Sequence, residues 1–169
     1  MRHIFISILL VLSISLKAQS IQEIDSLLLG AYESDQKVRT ESMTLMNKLN
    51  SAGANGVPTT VIDSLLLLQE QTQRIDKKNQ IFVASILKKG LPEGLSSQSY
   101  KAIWLIVDHA DLKFQKKHLP IMEEAARKEL ISAGDYAVLT DRIRMREGKP
   151  QKYGTQSYRM CFDRGWQGR

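Results

Sequence analysis

Three histidines, one cysteine and eighteen carboxylates bound the acid–base, nucleophilic and metal chemistry open to this chain. His109 is the residue suited to take or give a proton near neutral pH. It continues the helical face of Ala102 and Leu105, so a polar ring stands where a core is expected. Asp141 shares a face with Val138 and Met145 and is the carboxylate that would orient that ring. Arg142 and Arg39 are candidate anion clamps, and Asn79, Gln151, Tyr153, Thr155 and Gln156 are candidate positioning groups. Asp76 lies three positions before Asn79, and Asp35 and Arg39 are four apart, hence on one side of their helix. An unsatisfied buried polar group costs about 1–3 kcal/mol, so such side chains, if turned inward, satisfy one another around one pocket. Each also has a plainer role: His109 as a hydrogen-bonded core histidine, Asp35 with Arg39 as a surface ion pair, Asp76 as a partner of Lys77 or of a helix end.

The motifs that would fix a reaction are missing. There is no His-Glu-x-x-His, no Gly-x-Ser-x-Gly, no phosphate loop, no Cys-x-x-Cys and no calcium loop. His109 with Asp111 or His118 offers at best a loose ligand set, so neither a metal nor another cofactor is expected. Cys161, standing alone, is read as a small buried residue or a thiol for pairing between chains.

The elements that must position these groups are helices. With 43% apolar and 25% charged residues, four prolines and ten glycines in 169 residues, the composition fits a mainly α domain. About six helices in a single bundle-like domain are expected. Ser20 with Glu23 makes a capping box for a first helix to about residue 33, and a second covers 35–49. Loop chemistry follows at 51–58, with Asn-Gly and Pro58. Val61, Leu65, Leu68, Thr72, Ile75, Asn79, Phe82 and Ile86 step by four and three along one seam of a long scaffold helix that Thr60 opens and Gly90 with Pro92 ends. Ser96 or Ser97 opens a helix holding six apolar residues in a row at 102–107. Pro120 suits the start of the next, which continues through Ile121, Met122, Ala125 and Leu130 toward Gly134. The last covers 135–147 and stops at Gly148 and Pro150. Beyond it an extended segment is expected, with a short strand or hairpin where Tyr158, Met160 and Phe162 alternate.

Residues 1–18 have the pattern of a signal peptide: Arg2 first, an apolar run of thirteen residues at 4–16, then Lys17 and Ala18 as the cleavage point. A bilayer span takes about 20 apolar residues, so no permanent span is expected after cleavage. The expected organisation is therefore a leader at 1–18, a helical domain at 19–150 and a basic extended segment at 151–169 packed on it, exported to the periplasm or the medium. Loss of Arg2 and Lys17 takes the net charge from +6 to +4. From residue 142 onward eight Lys and Arg stand against Glu147 and Asp163 alone. That basic tail is either a solvated surface or a dock for an acidic partner, whereas nucleic acid is a poor partner for an exported chain with no recognition motif.

The strings Leu139-Thr-Asp-Arg142, Gly148-Lys-Pro-Gln151 and Tyr153-Gly-Thr-Gln156 resemble the signature of an uncharacterised bacterial family, domain of unknown function 6624. Further matches are Asp35-Gln36 with Arg39, Asp76 with Asn79, Gly90-Leu-Pro92, residues 104–110, Gln115 and Leu119-Pro120, so the resemblance spans 35–156. This chain departs from the pattern after Phe162, where its tail is short. The resemblance implies a shared polar site and no particular reaction. Tyr153-Gly-Thr-Gln156 offers a phenol, a hydroxyl, an amide and open backbone within four residues, which is either a recognition strip or a latch that caps helix ends. The leading expectation is an exported helical protein whose one pocket holds a small polar or anionic ligand. The alternatives are a hydrolase or transferase using His109 on an envelope substrate, and an interaction protein docking through its tail.

Overall fold

The computed structural model describes residues 2–51 and 59–156. Five helices make up its regular structure: α1 (Arg2–Ser51), α2 (Thr59–Ile86), α3 (Ser97–His109), α4 (Leu112–Arg127) and α5 (Ala133–Arg146). The mainly helical class expected from composition is what is found, and no strand occurs among the described residues. Most of the 51–58 loop and the alternating stretch at 158–162, with Cys161, lie outside the described residues. The chain divides into two compact units, Met1–Ile106 and Val107–Arg169. The division falls inside the stretch read from sequence as one helical domain.

The first unit is built on an antiparallel hairpin of α1 and α2. Positions 24, 28, 31, 35, 38, 42, 45 and 49 of α1 alternate steps of four and three, the same rhythm as the α2 seam, and the spacing places both sets along facing stripes. Leu28, Ala31, Asp35 and Val38 are buried on α1, Asn79 and Val83 on α2, and burial fades toward the tip, where Leu45, Leu49, Val61 and Leu65 are half-exposed. The register is set by polar contacts. Asn79 Nδ2 donates to the Ala31 carbonyl at 3.2 Å, and Arg39 Nη2 reaches Asp76 Oδ1 at 2.7 Å. Past the hairpin, Gly90 turns the chain at φ +94°, and Asp25 of α1 accepts from the Ser96 amide at 2.7 Å, tying down the start of α3.

Two sequence expectations are corrected here. The first two expected helices are one: α1 passes through Ser20 and Ser34 without a break. No proline interrupts it, and the Ser34 hydroxyl bonds back to the Ala31 carbonyl at 2.9 Å, as serine does inside a helix, instead of capping a new one. The fourth expected helix does not start at Pro120, which lies inside α4. Asp111 is the cap, its carboxylate accepting from the Phe114 amide at 2.8 Å, and this places the first helical residue, Leu112, eight residues earlier.

In the second unit α4 packs on α5. The chain between them closes α4 with Glu129 in the left-handed region (φ 57°) and the Leu130 amide bonded to the Ala125 carbonyl at 2.9 Å. Ser132 then caps α5 by accepting from the Asp135 amide at 3.0 Å. Met122, Ala125, Ile131, Leu139 and Ile143 form the apolar core.

Candidate functional site

The candidate residues fall into two groups, one in each unit. In the first unit Asp35 is buried within the hairpin seam. Its carboxylate accepts from Arg39 Nε at 3.1 Å and from Gln36 Nε2 at 2.8 Å, and Arg39 carries on to Asp76. With Asn79 this forms a polar layer across a seam that is otherwise apolar apart from Ser42 and Thr72. Such layers fix register, because sliding one helix by a turn would strand each of these groups against apolar neighbours.

The second unit holds the rest. Asp141 is fully buried, and its carboxylate is the hub of the loop that follows α5. Oδ1 accepts from the amides of Lys152 at 2.6 Å and Tyr153 at 3.0 Å; Oδ2 accepts from the Thr155 amide at 2.9 Å and the Thr155 hydroxyl at 3.0 Å. Burial pushes this carboxyl up, but the amides of Thr155, Tyr153 and Lys152 together with the Thr155 hydroxyl outweigh it, and the net value falls below the ordinary 3.8. The loop is pinned along its whole length. Gly148, at φ +73°, ends α5 in a left-handed turn, with the Lys149 amide bonded to the Arg144 carbonyl at 2.8 Å. Arg144 Nε holds the Pro150 carbonyl at 2.7 Å. The Gln151 side chain pairs with the backbone of Gln156 in both directions, and Gln156 Nε2 reaches the Val138 carbonyl at 3.3 Å. The string 148–156 is thus a latch centred on Asp141. Tyr153 points outward, half-exposed, with Lys152 Nζ 5.0 Å from its ring centre and Tyr136 edge-on at 6.5 Å.

Beside the latch lies a second cluster, in which polarity is left unsatisfied. His109 closes α3, half-buried, and the preceding residue, Asp108, is 2% exposed. Arg142 Nε stands 3.0 Å from Asp108 Oδ1, an ion pair by distance, yet the N–H direction misses the oxygen and neither atom has a hydrogen-bond partner. Burial drives the Asp108 carboxyl up; Arg142, His109 and Arg146 pull it down and Asp135 adds to the rise, leaving it above its ordinary value. Gln115 Nε2 donates to the Asp108 carbonyl at 2.6 Å, while Gln115 Oε1 is buried and unpartnered. One turn on, His118 is buried with both ring nitrogens unpartnered and its ring 4.4 Å from that of Phe114. Burial, helped by Lys117, depresses its basicity. Among the described residues, every buried side-chain polar atom without a hydrogen bond belongs to Asp108, Gln115, His118 or Arg142.

The structure therefore brings His109, Arg142 and Asp141 into one unit but occupies Asp141 with residues 152–155. Asp108 and Gln115 were not among the sequence candidates, and His118 was weighed only as a loose metal ligand beside His109. No group of three metal-ligating side chains occurs among the described residues. At the rim, Glu147 bonds Lys116 and Lys149 together, and these two hydrogen bonds hold its carboxyl down at about 2.

Fold and site define an all-helical protein with a latched C-terminal loop and a buried, incompletely satisfied polar cluster. The chain belongs to the Family of unknown function (DUF6624), which it matches over residues 22–163. No curated protein and no solved structure matches it.

Proposed function

We propose that this chain is a binding protein whose C-terminal unit takes a small anion, a carboxylate or phosphate, on the outer nitrogens of Arg142. The observation that carries this reading is the division of labour in that guanidinium. Nε is set against the buried Asp108 carboxylate, whereas neither Nη has a hydrogen-bond partner among the described residues, and the side chain is 24% exposed. A guanidinium whose inner nitrogen lies against a buried carboxylate keeps its other two nitrogens as a planar two-donor fork, which matches the oxygens of a carboxylate or phosphate. Preorientation removes much of the rotamer entropy that a free arginine would lose on binding.

The test is calorimetric titration with inorganic phosphate and with acetate. Arg142→Ala is expected to weaken binding by at least about 30-fold, since removing a charge-paired contact costs about 2 kcal/mol or more. Arg142→Lys, which keeps the charge and loses the fork, should recover little. Binding that is absent in the parent chain, or unchanged in Arg142→Ala, overturns the reading.

A second reading is favoured by the raised Asp108 carboxyl beside His109. An imidazole beside an anion clamp is the arrangement a hydrolase or transferase needs, with His109 as the acid–base group. In that case His109→Ala folds normally and abolishes turnover while anion binding survives.

A further inference from the structure

Arg142 offers an anion only its outer nitrogens, and the buried cluster behind it holds polar atoms with no role in that contact. Gln115 Oε1 and both ring nitrogens of His118 are buried and bond nothing among the described residues. Gln115 is 0% exposed and His118 4%. Buried polar atoms are almost always paired in folded chains, so three orphans on one helix point to bonds supplied from elsewhere.

These atoms and the guanidinium are gathered around Asp108. Its carboxylate stands 3.0 Å from Arg142 Nε, and its carbonyl accepts from Gln115 Nε2 at 2.6 Å. His118 follows Gln115 by three positions, on the same face of α4. α4 and α5 run antiparallel, since Lys116 near the start of one bonds Glu147 at the end of the other. Counted from that bridge and from the turn at 127–133, His118 stands level with the 142–145 turn of α5. Exposure falls from 24% for the Arg142 side chain to nothing at Gln115, so Arg142 is the mouth of the cluster and the α4 pair its floor.

The floor specifies the chemistry it would receive. A backbone carbonyl only accepts, so the Gln115 NH2 is committed to Asp108 and Oε1 is left as an acceptor. Burial and Lys117 keep His118 neutral at pH 7, so its ring carries one N–H donor and one bare acceptor nitrogen. A group that completes both side chains must give a hydrogen and take one. A hydroxyl does so. An ammonium only gives, which leaves the His118 N–H without an acceptor, and it would join Arg142, Arg146 and Lys117 against Asp108 and Asp135.

We infer that the anion taken by Arg142 is hydroxylated, a hydroxy acid or a polyol phosphate, with its charged oxygens on the Arg142 fork and its hydroxyl between Gln115 Oε1 and His118. The inference rests on the anion-binding reading of Arg142 and narrows it to a class of ligand. A site built to bond a hydroxyl rejects the analogue that lacks it, because its own buried groups then go unpaired.

Calorimetric titration of the whole chain with matched pairs tests this: acetate against glycolate, and methyl phosphate against glycerol 3-phosphate. In at least one pair the hydroxylated member is expected to bind at least about 10-fold tighter, and the pair that shows it separates hydroxy acid from polyol phosphate. Glycine, with an ammonium in place of the hydroxyl, should bind no better than acetate. His118→Leu cuts no hydrogen bond within the protein, and should shrink the preference while leaving the affinity for the plain anion within about threefold. Gln115→Met, with helix content checked by circular dichroism, should shrink it likewise; if that variant unfolds, His118→Leu alone decides. Equal binding within both pairs overturns the inference and leaves the Arg142 clamp standing. A preference for glycine over glycolate, or a hydroxyl preference that survives in the folded variants, overturns it as well. A parent chain that binds none of these anions overturns the clamp and this inference together.

Discussion

Asp141→Asn isolates the latch. The substitution keeps the shape of the side chain and one acceptor oxygen, so the amides of Lys152 and Tyr153 can still be served. The other oxygen becomes an NH2 facing the Thr155 amide, so two donors meet in a buried site and one charge-assisted backbone bond is lost. A hydrogen bond to a charged group contributes about 1.5–3 kcal/mol, and an orphaned buried donor costs a further ~1–3 kcal/mol. The Thr155 hydroxyl can rotate to accept from the new amide and recover part of this. The expected net loss is about 3 kcal/mol, or roughly 6–12 °C in melting temperature for a chain of this size. The pH dependence gives the sharper check. The folded-state value of Asp141 lies below its unfolded 3.8, so its stabilisation is fully present above that pH and is lost as the pH falls through the folded value. Protonation makes the parent resemble the variant. Calorimetric scans at neutral pH and at a series of pH values below about 4 should therefore show the gap between the two proteins closing toward acid. A gap under about 0.5 kcal/mol at neutral pH, or one that does not narrow, would refute the assignment of Asp141 as the hub.

Other outcomes follow from the same structure. His118→Leu is expected to stabilise the chain by about 1–2 kcal/mol in urea titrations, because it removes two buried nitrogens that bond nothing. Since burial depresses the folded pKa of His118 below its unfolded 6.5, the parent should lose stability as the pH drops through 6.5, and the variant should not follow it on that limb. Pro120→Ala, which restores a donor inside α4, should raise the melting temperature by a few degrees. Asn79→Leu should leave stability unchanged or slightly raised while broadening the urea transition, because the polar layer contributes register more than energy. If residues 1–18 are a leader, amino-terminal sequencing of the accumulated protein will begin at Gln19; a start at Met1 would count against export.

What was legible in the residues and what was not separate along physical lines. The α2 seam was readable because eight positions repeat one period over 26 residues and clear breakers bound the helix, and all eight turn out half or fully buried. The continuity of α1 was hidden by serines, whose capping preference competes with their tolerance inside a helix and is settled by packing. The start of α4 was hidden by Pro120, and that error concealed the site. Once the helix begins at Asp111, Gln115, His118, Met122 and Ala125 step by three and four along its buried seam, and two of the four are polar. Read from Pro120, the seam shows only the apolar half. The Asp141 latch was half legible: the density of donors in Tyr153-Gly-Thr-Gln156 invited either a recognition strip or a cap, and only coordinates show Asp141 consuming those amides.

The latch also bears on how the second unit assembles. Asp141 finds all its partners eleven to fourteen residues downstream, and Gln156 closes the segment on Val138. Loops this short lose little entropy on closing, so α5 with its following turn is a prefabricated cassette that can form ahead of distant pairings. A peptide covering residues 132–156 should then show ring-current shifts at Tyr136 and Tyr153 on its own, and grafting such a cassette onto another helical scaffold would carry its shape along.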